Sequence, residues 1–469
     1  MCGIIGIIST EPVNIELYNS LLSLQHRGQD SAGIAVVDQT RLNLKKGLGL
    51  IENIFTEENL SLLWGNYGIA QVRYATSGAT PKKEVQPFLI GYPNLIAMAH
   101  NGNILNTKSL KKRFNNRTES ESDTELILHL LGSKLENKKL TNETIFNAVK
   151  ECMQELNGSY SIVCAIAGVG LLAFRDPHGI RPLAMGKKDN GVMFASETVA
   201  IDTINYKYIK DLGCGEAIIV RENLKIEERI LLPKEPRHCM FEWIYFARPD
   251  SEIEGKSVYV ARIKLGRSLA KYIKEKQLAP DVIVPVPDTS KPAALGLSQE
   301  TNIVNEEGLI KNRYIGRTFI MPTQLKRENA LSVKLNANKV VLENKKVILI
   351  DDSIVRGTTS RRIVKTAKKY ADKIYFISTC PPIKYPCYYG IDFPIKEELL
   401  ANNKTVEEIK NEIGADELIY ATIDDVRQAI RIPGLCTACL DGLYPTNIEE
   451  SQKDIHKLRK SERDKLNKD

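Results

Sequence analysis

Hydrophobic patterning divides this chain near residue 230, and the two patterns call for different layer architectures. Residues 1 to about 230 carry short apolar runs bounded by turn residues: GIIGIIS, GIAVVD, YGIAQVRYA, LIAMAHNGNI, YSIVCAIAG, VMFASE and EAIIVRE. Runs of this kind predict strands. Two segments among them, NIELYNSLLSLQHRG and SDTELILHLLGSKL, predict helices. The second opens on Ser122 with Glu125 three residues later, the pattern of a capping box. Mixed sheets covered by helices on their outer faces fit this half. After about residue 235 helices and strands alternate: helical SVYVARIKLGRSLAKYIKEK, a buried strand DVIVPVPD, the strand, loop and helix of KKVILIDDSIVRGTTSRRIVKTAKKYA, and the strand KIYFISTCPP. That alternation predicts a parallel α/β sheet. At 469 residues the chain exceeds what one core usually serves. The expected division is 1–230, 231–446 and a charged tail, 447–469.

Composition narrows the partners. A net charge of +7 arises from 65 basic and 58 acidic residues, and the positives are scattered, so no basic stripe points to nucleic acid. The longest apolar stretch, SIVCAIAGVGLLAF, has 14 residues and a Gly-Val-Gly break. It is too short to span a bilayer and predicts two core strands with a turn. The apolar start lacks a preceding basic region, so no export signal is expected. Nine cysteines in such a chain suit a reducing compartment, with the cytoplasm as the default.

In VILIDDSIVRGTTS an apolar strand runs into Asp351 and Asp352, then into a loop of Gly357, Thr358, Thr359 and Ser360 that opens a helix. Ligands of open α/β sheets bind beyond the carboxyl ends of strands. Free backbone N–H groups at a helix start, approached closely through Gly357, make a cradle for a phosphate monoester. The nucleotide pattern GxxxxGK[ST] is absent. Two carboxylates beside an anion need something else to bind, and ribose hydroxyls or a Mg²⁺ ion are the natural partners.

This stretch resembles the signature of the type I phosphoribosyltransferases, which bind phosphoribosyl pyrophosphate (PRPP). The resemblance implies that Ser353, Arg356, Gly357, Thr358 and Thr359 hold the 5-phosphate and that the aspartates meet the ribose. VPVPDTSKPAALG resembles the pyrophosphate loop of that family, with Thr289 joining Asp351 and Asp352 around Mg²⁺. NRYIGRTFIMPTQLKRENALSVKLNANK resembles its mobile closing loop, in which Arg317, Arg327 and Lys334 supply charge for the pyrophosphate.

The first half opens MCGIIGI. Removal of Met1 would give Cys2 a thiol and a free α-amino group on one residue. MCGIIGI, LQHRGQDSAGIA, VRYATSG, HNGNI and ESDTE, in this order, resemble the class II glutamine amidotransferases, whose nucleophile is an amino-terminal cysteine. A thiol of ordinary pKa is only a few per cent thiolate at neutral pH, and the α-amino group can take its proton. By resemblance the Asn101 side chain and the Gly102 N–H receive the oxyanion, Arg73 clamps the glutamine carboxylate, Asp123 accepts from its α-ammonium, and Thr76 assists. Three plainer readings stay open: Asn101-Gly102 is also a hairpin turn signal, Arg73 also reads as a surface charge, and Asp123 also favours a helix start. His26, His100 and His178 are read as structural.

Together the resemblances imply an Ntn-type αββα glutaminase joined to a type I phosphoribosyltransferase domain. Such a chain turns glutamine, PRPP and water into 5-phosphoribosylamine, glutamate and pyrophosphate, the committed step of purine synthesis. A regulator that binds PRPP without chemistry would lack the cysteine or the closing loop. Ammonia must travel unprotonated through a water-poor passage, and Tyr245 and Arg248 in CMFEWIYFARPDS are candidates for coupling the two sites, with packing of an ordinary core segment as the equal alternative. Purine nucleotides as feedback inhibitors and a homo-tetramer are further family expectations. LCTACL supplies Cys436 and Cys439, half of a metal site. In the cluster-bearing branch of these enzymes the other ligands match Cys239 and Cys387, with Cys380 as a rival to Cys387, so a four-iron four-sulfur (4Fe–4S) cluster is expected; zinc uses the same ligands. With only Met1 ahead of Cys2, maturation is expected to need a methionine aminopeptidase.

Overall fold

The computed structural model describes residues 2–74, 82–114, 118–312, 335–393, 395–450 and 452. Its first half is four layers deep. One sheet has seven strands, and at its centre Cys2–Ser9 lies between Tyr67–Arg73 and Gly191–Ala195, antiparallel to both. The second sheet has six, with Ile96–Ile104 paired to Gly158–Ile166 and that in turn to Gly170–Arg175. The SIVCAIAGVGLLAF stretch is therefore two strands and a turn, as its Gly-Val-Gly break suggests.

Strand periodicity assigns each face. Successive side chains of a strand point to opposite sides, and both faces of these sheets are buried. Ile4 and Ile8 of the first sheet meet Ala97, Ala99 and Val163 of the second in the core between them. Ile5 and Ile7 face outward to the helix Asn14–Ser23. Ile96 and Met98 face the helices Asp123–Leu135 and Asn142–Glu155. The result is an αββα sandwich.

One local expectation needs correction, and one open alternative is decided. Ser122 precedes the helix Asp123–Leu135, but its side chain makes no cap. Glu125 is taken instead by the preceding loop, accepting from the N–H groups of Glu119 and Ser120 at 2.8 Å each. Asn101-Gly102 is not a hairpin turn. It lies inside the Ile96–Ile104 strand, opposite Ser161 and Tyr160.

The second half is built on four parallel strands in the order Val282–Pro285, Lys346–Asp351, Lys373–Ser378 and Glu417–Tyr420. Ile348 and Ile350 pack on one face with the helix Val258–Ser268, and Val347 and Leu349 on the other with Thr358–Ala367. Burial of both faces explains why these strands are continuously apolar. Among the described residues no helix is long and apolar enough to cross a membrane.

The halves are joined through buried charge. Arg27 is 1% exposed. Its guanidinium bonds Glu197 and both carboxylate oxygens of Glu242, at 3.0 and 2.9 Å, while Nε donates to the Cys2 carbonyl at 3.0 Å. Glu242 begins a π turn, Glu242–Phe246, and also accepts from Arg181 at 3.1 Å. Arg181 in turn donates from Nε to the Tyr389 carbonyl at 2.7 Å. Burial alone would raise the Glu197 carboxyl, but His26 and Arg27 outweigh it and hold it far below its ordinary value of 4.5.

Removing one partner of a buried pair strands the other charge, typically at about 3–5 kcal/mol. Glu242→Ala is expected to lower the thermal midpoint by a corresponding amount, measured by calorimetry. Because the folded Glu197 pKa is depressed, its contribution is complete above pH 4.5 and is lost as the pH falls below it. A Glu197→Gln chain should therefore show a weaker loss of stability in acid than the parent chain.

Candidate active site

Register alone gathers the first group. Arg73 lies directly opposite Cys2 on one side and opposite Ser31 on the other, and directly opposed residues of antiparallel strands share a face. All three have the parity of Ile4, Ile69 and Ala35, which point between the sheets. Asn101 has the parity of Ala97 and Ala99 on the facing sheet. Cys2, Arg73, Ser31 and Asn101 thus converge at one end of the inter-sheet space. The sheets are tied there by Gln71, whose Nε2 donates to the His100 carbonyl at 2.9 Å.

Asn101 is the most informative of these. Its Oδ1 accepts from the Cys2 N–H at 3.2 Å. Its Nδ2 is buried and has no hydrogen-bond partner among the described residues. A buried donor left unpaired costs free energy, so an amide fixed by one oxygen and open at the nitrogen is suited to an acceptor brought by a ligand. Gly102 comes next with φ +155°, and a Cβ there would stand 2.0 Å from the Ser159 carbonyl oxygen. Only glycine fits. Gly390, from the second half, packs on Gly102 so closely that its own Cβ would fall 2.9 Å from the Gly102 carbonyl.

Arg73 is not a free surface charge. Its Nη1 donates to the Glu84 carbonyl at 2.6 Å and its Nη2 to Glu84 Oε2 at 3.1 Å. Asp123 Oδ2 accepts from the Ile104 N–H at 3.0 Å. Burial opposes its charge, but His100, that N–H and Arg73 together keep its carboxyl below the ordinary range. His100 approaches Thr124 at 3.2 Å. His26 pairs with Glu197 at 2.7 Å, and His178 bonds the Glu235 carbonyl at 2.8 Å.

The second group lies at the carboxyl edge of the parallel sheet, where Val282–Pro285 and Lys346–Asp351 end side by side. Thr289 is in the loop after the first of these strands. After the second, the Asp352 N–H donates to Asp351 Oδ1 at 2.9 Å, and Ser353 Oγ to Asp352 Oδ1 at 2.7 Å. Burial and the neighbouring Asp352 push Asp351 well above the usual carboxylate range, and burial brings Asp352 to about 6. Gly357 caps the next helix at φ +74°, where a Cβ would meet Leu400 at 2.5 Å. Thr358 and Thr359 are exposed at the helix start. Arg356 is half exposed and pairs with Glu398, its Nε donating at 3.0 Å.

Between the groups, Tyr245 packs edge-on against Phe246 at 4.9 Å between ring centres. The Arg248 N–H donates to Glu197 Oε2 at 3.0 Å, while its guanidinium pairs with Asp250. Thr76, Arg317, Arg327 and Lys334 lie outside the described residues.

The expected 4Fe–4S cluster, and with it assignment to the cluster-bearing branch, is corrected. Among the described residues no group of three or more His, Cys, Asp or Glu side chains is placed to hold a metal ion. Cys239, Cys387, Cys436 and Cys439 line one small pocket with about 20 Å³ of room, on the order of one water molecule. Burial raises the Cys239 thiol to about 11 and pushes those of Cys436 and Cys439 higher still. The Cys-x-x-Cys spacing signals proximity in sequence and leaves the packing undecided.

Sequence reasoning did not single out Arg27, Ser31, Glu84 or Glu197. Ser31, within QDSAGIA, has a buried hydroxyl with no partner among the described residues. The partners of Arg27 lie 170 and 215 residues away, beyond any local pattern.

An αββα layer with cysteine at the head of a central strand, joined to an α/β sheet with an acidic pair and a glycine-capped helix at its carboxyl edge, defines a two-module glutamine amidotransferase. Residues 72–203 match the model of the glutamine amidotransferase domain. Amidophosphoribosyltransferases of Pasteurella multocida and Methanothermobacter thermautotrophicus are 41% and 42% identical, over 100% and 98% of this chain and 99% and 98% of theirs. A solved structure of glutamine PRPP amidotransferase from B. subtilis, complexed with ADP and GMP, superposes with a TM-score of 0.87 at 39% identity, covering 95% of this chain and 98% of that one. The chain belongs to the amidophosphoribosyltransferase family. It catalyses the glutamine-dependent amidation of PRPP to 5-phosphoribosylamine, the first committed step of purine biosynthesis.

If the open Asn101 amide serves the chemistry, Asn101→Ala should lower glutaminase kcat on the order of 10²–10³-fold, with a smaller effect on the KM for glutamine. Steady-state glutamate release checks this, and a change confined to KM would count against it.

Proposed function

We propose a division of labour for the established reaction. With Met1 removed, the α-amino group of Cys2 takes the thiol proton, and Sγ forms a bond to the glutamine side-chain carbonyl carbon. The carbonyl electron pair moves to oxygen, and Asn101 Nδ2 and the Gly102 N–H receive that oxyanion. Collapse of the intermediate breaks the C–N bond, and the ammonium of Cys2 returns a proton to the departing ammonia. Water then hydrolyses the thioester to glutamate. Arg73 holds the substrate α-carboxylate with two parallel bonds, Asp123 receives its α-ammonium, and Thr76 assists. The observation that carries this reading is the Asn101 amide, bound to Cys2 by its oxygen and open at its nitrogen.

At the other site, Ser353, Arg356, Gly357, Thr358 and Thr359 hold the 5-phosphate, and Asp351 and Asp352 face the ribose. Arg317, Arg327 and Lys334 attend the pyrophosphate. The raised Asp351 and Asp352 carboxyls favour a cation, and Mg²⁺, held by them and by Thr289 with the substrate's own oxygens, would neutralise the pyrophosphate as it leaves. The ammonia lone pair attacks carbon 1 of the ribose, so the path between sites must exclude water and acid. We place the module boundary near residue 230, where the strand Ile226–Ile230 closes the second sheet.

Tyr245 and Arg248 are read as coupling residues. The support is contiguity: Arg248 binds Glu197, Glu197 binds Arg27, and Arg27 holds the Cys2 carbonyl. Purine nucleotides as feedback ligands are extended to this chain from the relative complexed with ADP and GMP, and a homo-tetramer from family resemblance.

Cys2→Ser is expected to abolish glutamate release while leaving PRPP-dependent formation of phosphoribosylamine from added ammonia within about twofold. Glutamate release at the parent rate would refute the nucleophile. Tyr245→Phe is expected to keep basal glutaminase turnover and to reduce its stimulation by PRPP; an unchanged ratio of the two rates rejects the coupling role.

A further inference from the structure

The group that faces Arg73 is a carboxylate of the chain itself. Glu84 offers the guanidinium two acceptors, its carbonyl at 2.6 Å and Oε2 at 3.1 Å, and a forked pair of acceptors is how arginine recognises a carboxylate. The two side chains are 15% and 17% exposed, so water screens the pair only in part.

Glu84 is also held in range by residues 85–87 on its C-terminal side. Lys46 Nζ donates to the carbonyls of Val85 and Pro87 at 2.6 and 3.1 Å. Gln86 donates from Nε2 to Thr124 Oγ1 at 2.7 Å and accepts from the His100 N–H at 2.8 Å. The segment is thereby clamped both to the strand that carries Asn101 and to the helix start that carries Asp123. Glu84 stands one residue outside this clamp. Its carboxylate engages only Nη2 of Arg73, so the side chain can yield that nitrogen while the backbone carbonyl keeps Nη1.

We propose that Glu84 is an internal competitor of the glutamine α-carboxylate for Arg73, so that substrate binds only at the expense of this pair. The inference rests on the reading that Arg73 receives that carboxylate. A competing internal contact reduces apparent affinity by the fraction of molecules in which the guanidinium is available. For a partly covered ion pair the factor is modest, about two- to fivefold. It sets the KM for glutamine and leaves the chemical steps at Cys2 alone.

The test uses the full chain with Glu84→Gln and Glu84→Ala, assayed for glutamate release across glutamine concentrations at saturating PRPP. The expected result is a KM for glutamine lower by about two- to fivefold in both variants, with kcat within twofold of the parent. An unchanged or higher KM in both overturns the proposal, and a lowered melting temperature without a KM change would identify Glu84 as a tether of the Lys82–Glu84 turn only. Arg73→Lys separates this from the underlying reading. If that variant does not raise the KM, Arg73 is not the carboxylate receptor; if it does while both Glu84 variants match the parent, only the competition fails.

Discussion

A guanidinium withdrawn from water organises this molecule. Arg27 satisfies its donors with Glu197, with both oxygens of Glu242 and with the carbonyl of Cys2. Buried ion pairs are poor sources of net stability, because desolvation consumes much of the Coulombic gain. Their value lies in geometry, since a dry charge tolerates few alternative arrangements. Here the arrangement ties the head of the Cys2–Ser9 strand to the segment that leads into the second half. Arg181 extends it from Glu242 to the Tyr389 carbonyl, so both modules contribute to one hydrogen-bonded unit.

The two reaction sites handle charge in opposite ways. Near Cys2, donors are in surplus: Asn101 Nδ2 has no partner among the described residues, and Arg73 is covered by a borrowed carboxylate. At the edge of the parallel sheet acceptors are in surplus, and two adjacent carboxyls resist ionisation together. An excess of donors suits a developing oxyanion, and an excess of acceptors suits hydroxyls and cations. Polarity so divided accords with a reaction that takes nitrogen from an amide and delivers it to an activated sugar.

Much of the fold was legible in the sequence because apolar runs and their breaks report strands directly. The Gly-Val-Gly break, the alternation after residue 235 and the DDSIVRGTT loop each correspond to what was built. Tertiary competition accounts for the failures. Glu125 left its expected cap because two loop N–H groups offered better partners. Asn101-Gly102 lies within the strand that LIAMAHNGNI predicts, paired with Ser161 and Tyr160, so its turn preference is not expressed. The helix Asn142–Glu155 went unremarked although Thr141 caps it. The cysteines converged on one pocket without becoming a ligand set. Arg27 and Glu242 lie within motif segments, but that they pair, and that Glu197 joins them, emerges only once distant strands have met.

One close approach of the modules involves no side chain. Gly390 rests on Gly102, main chain to main chain, and such a contact has no rotamers with which to absorb a shift. Interiors this dense transmit displacement instead of dissipating it. A movement of a few tenths of an ångström in the Tyr388–Gly390 segment is therefore felt directly by the peptide after Asn101. Mechanical slack between the lobes is absent where Gly390 meets the Gly102 main chain.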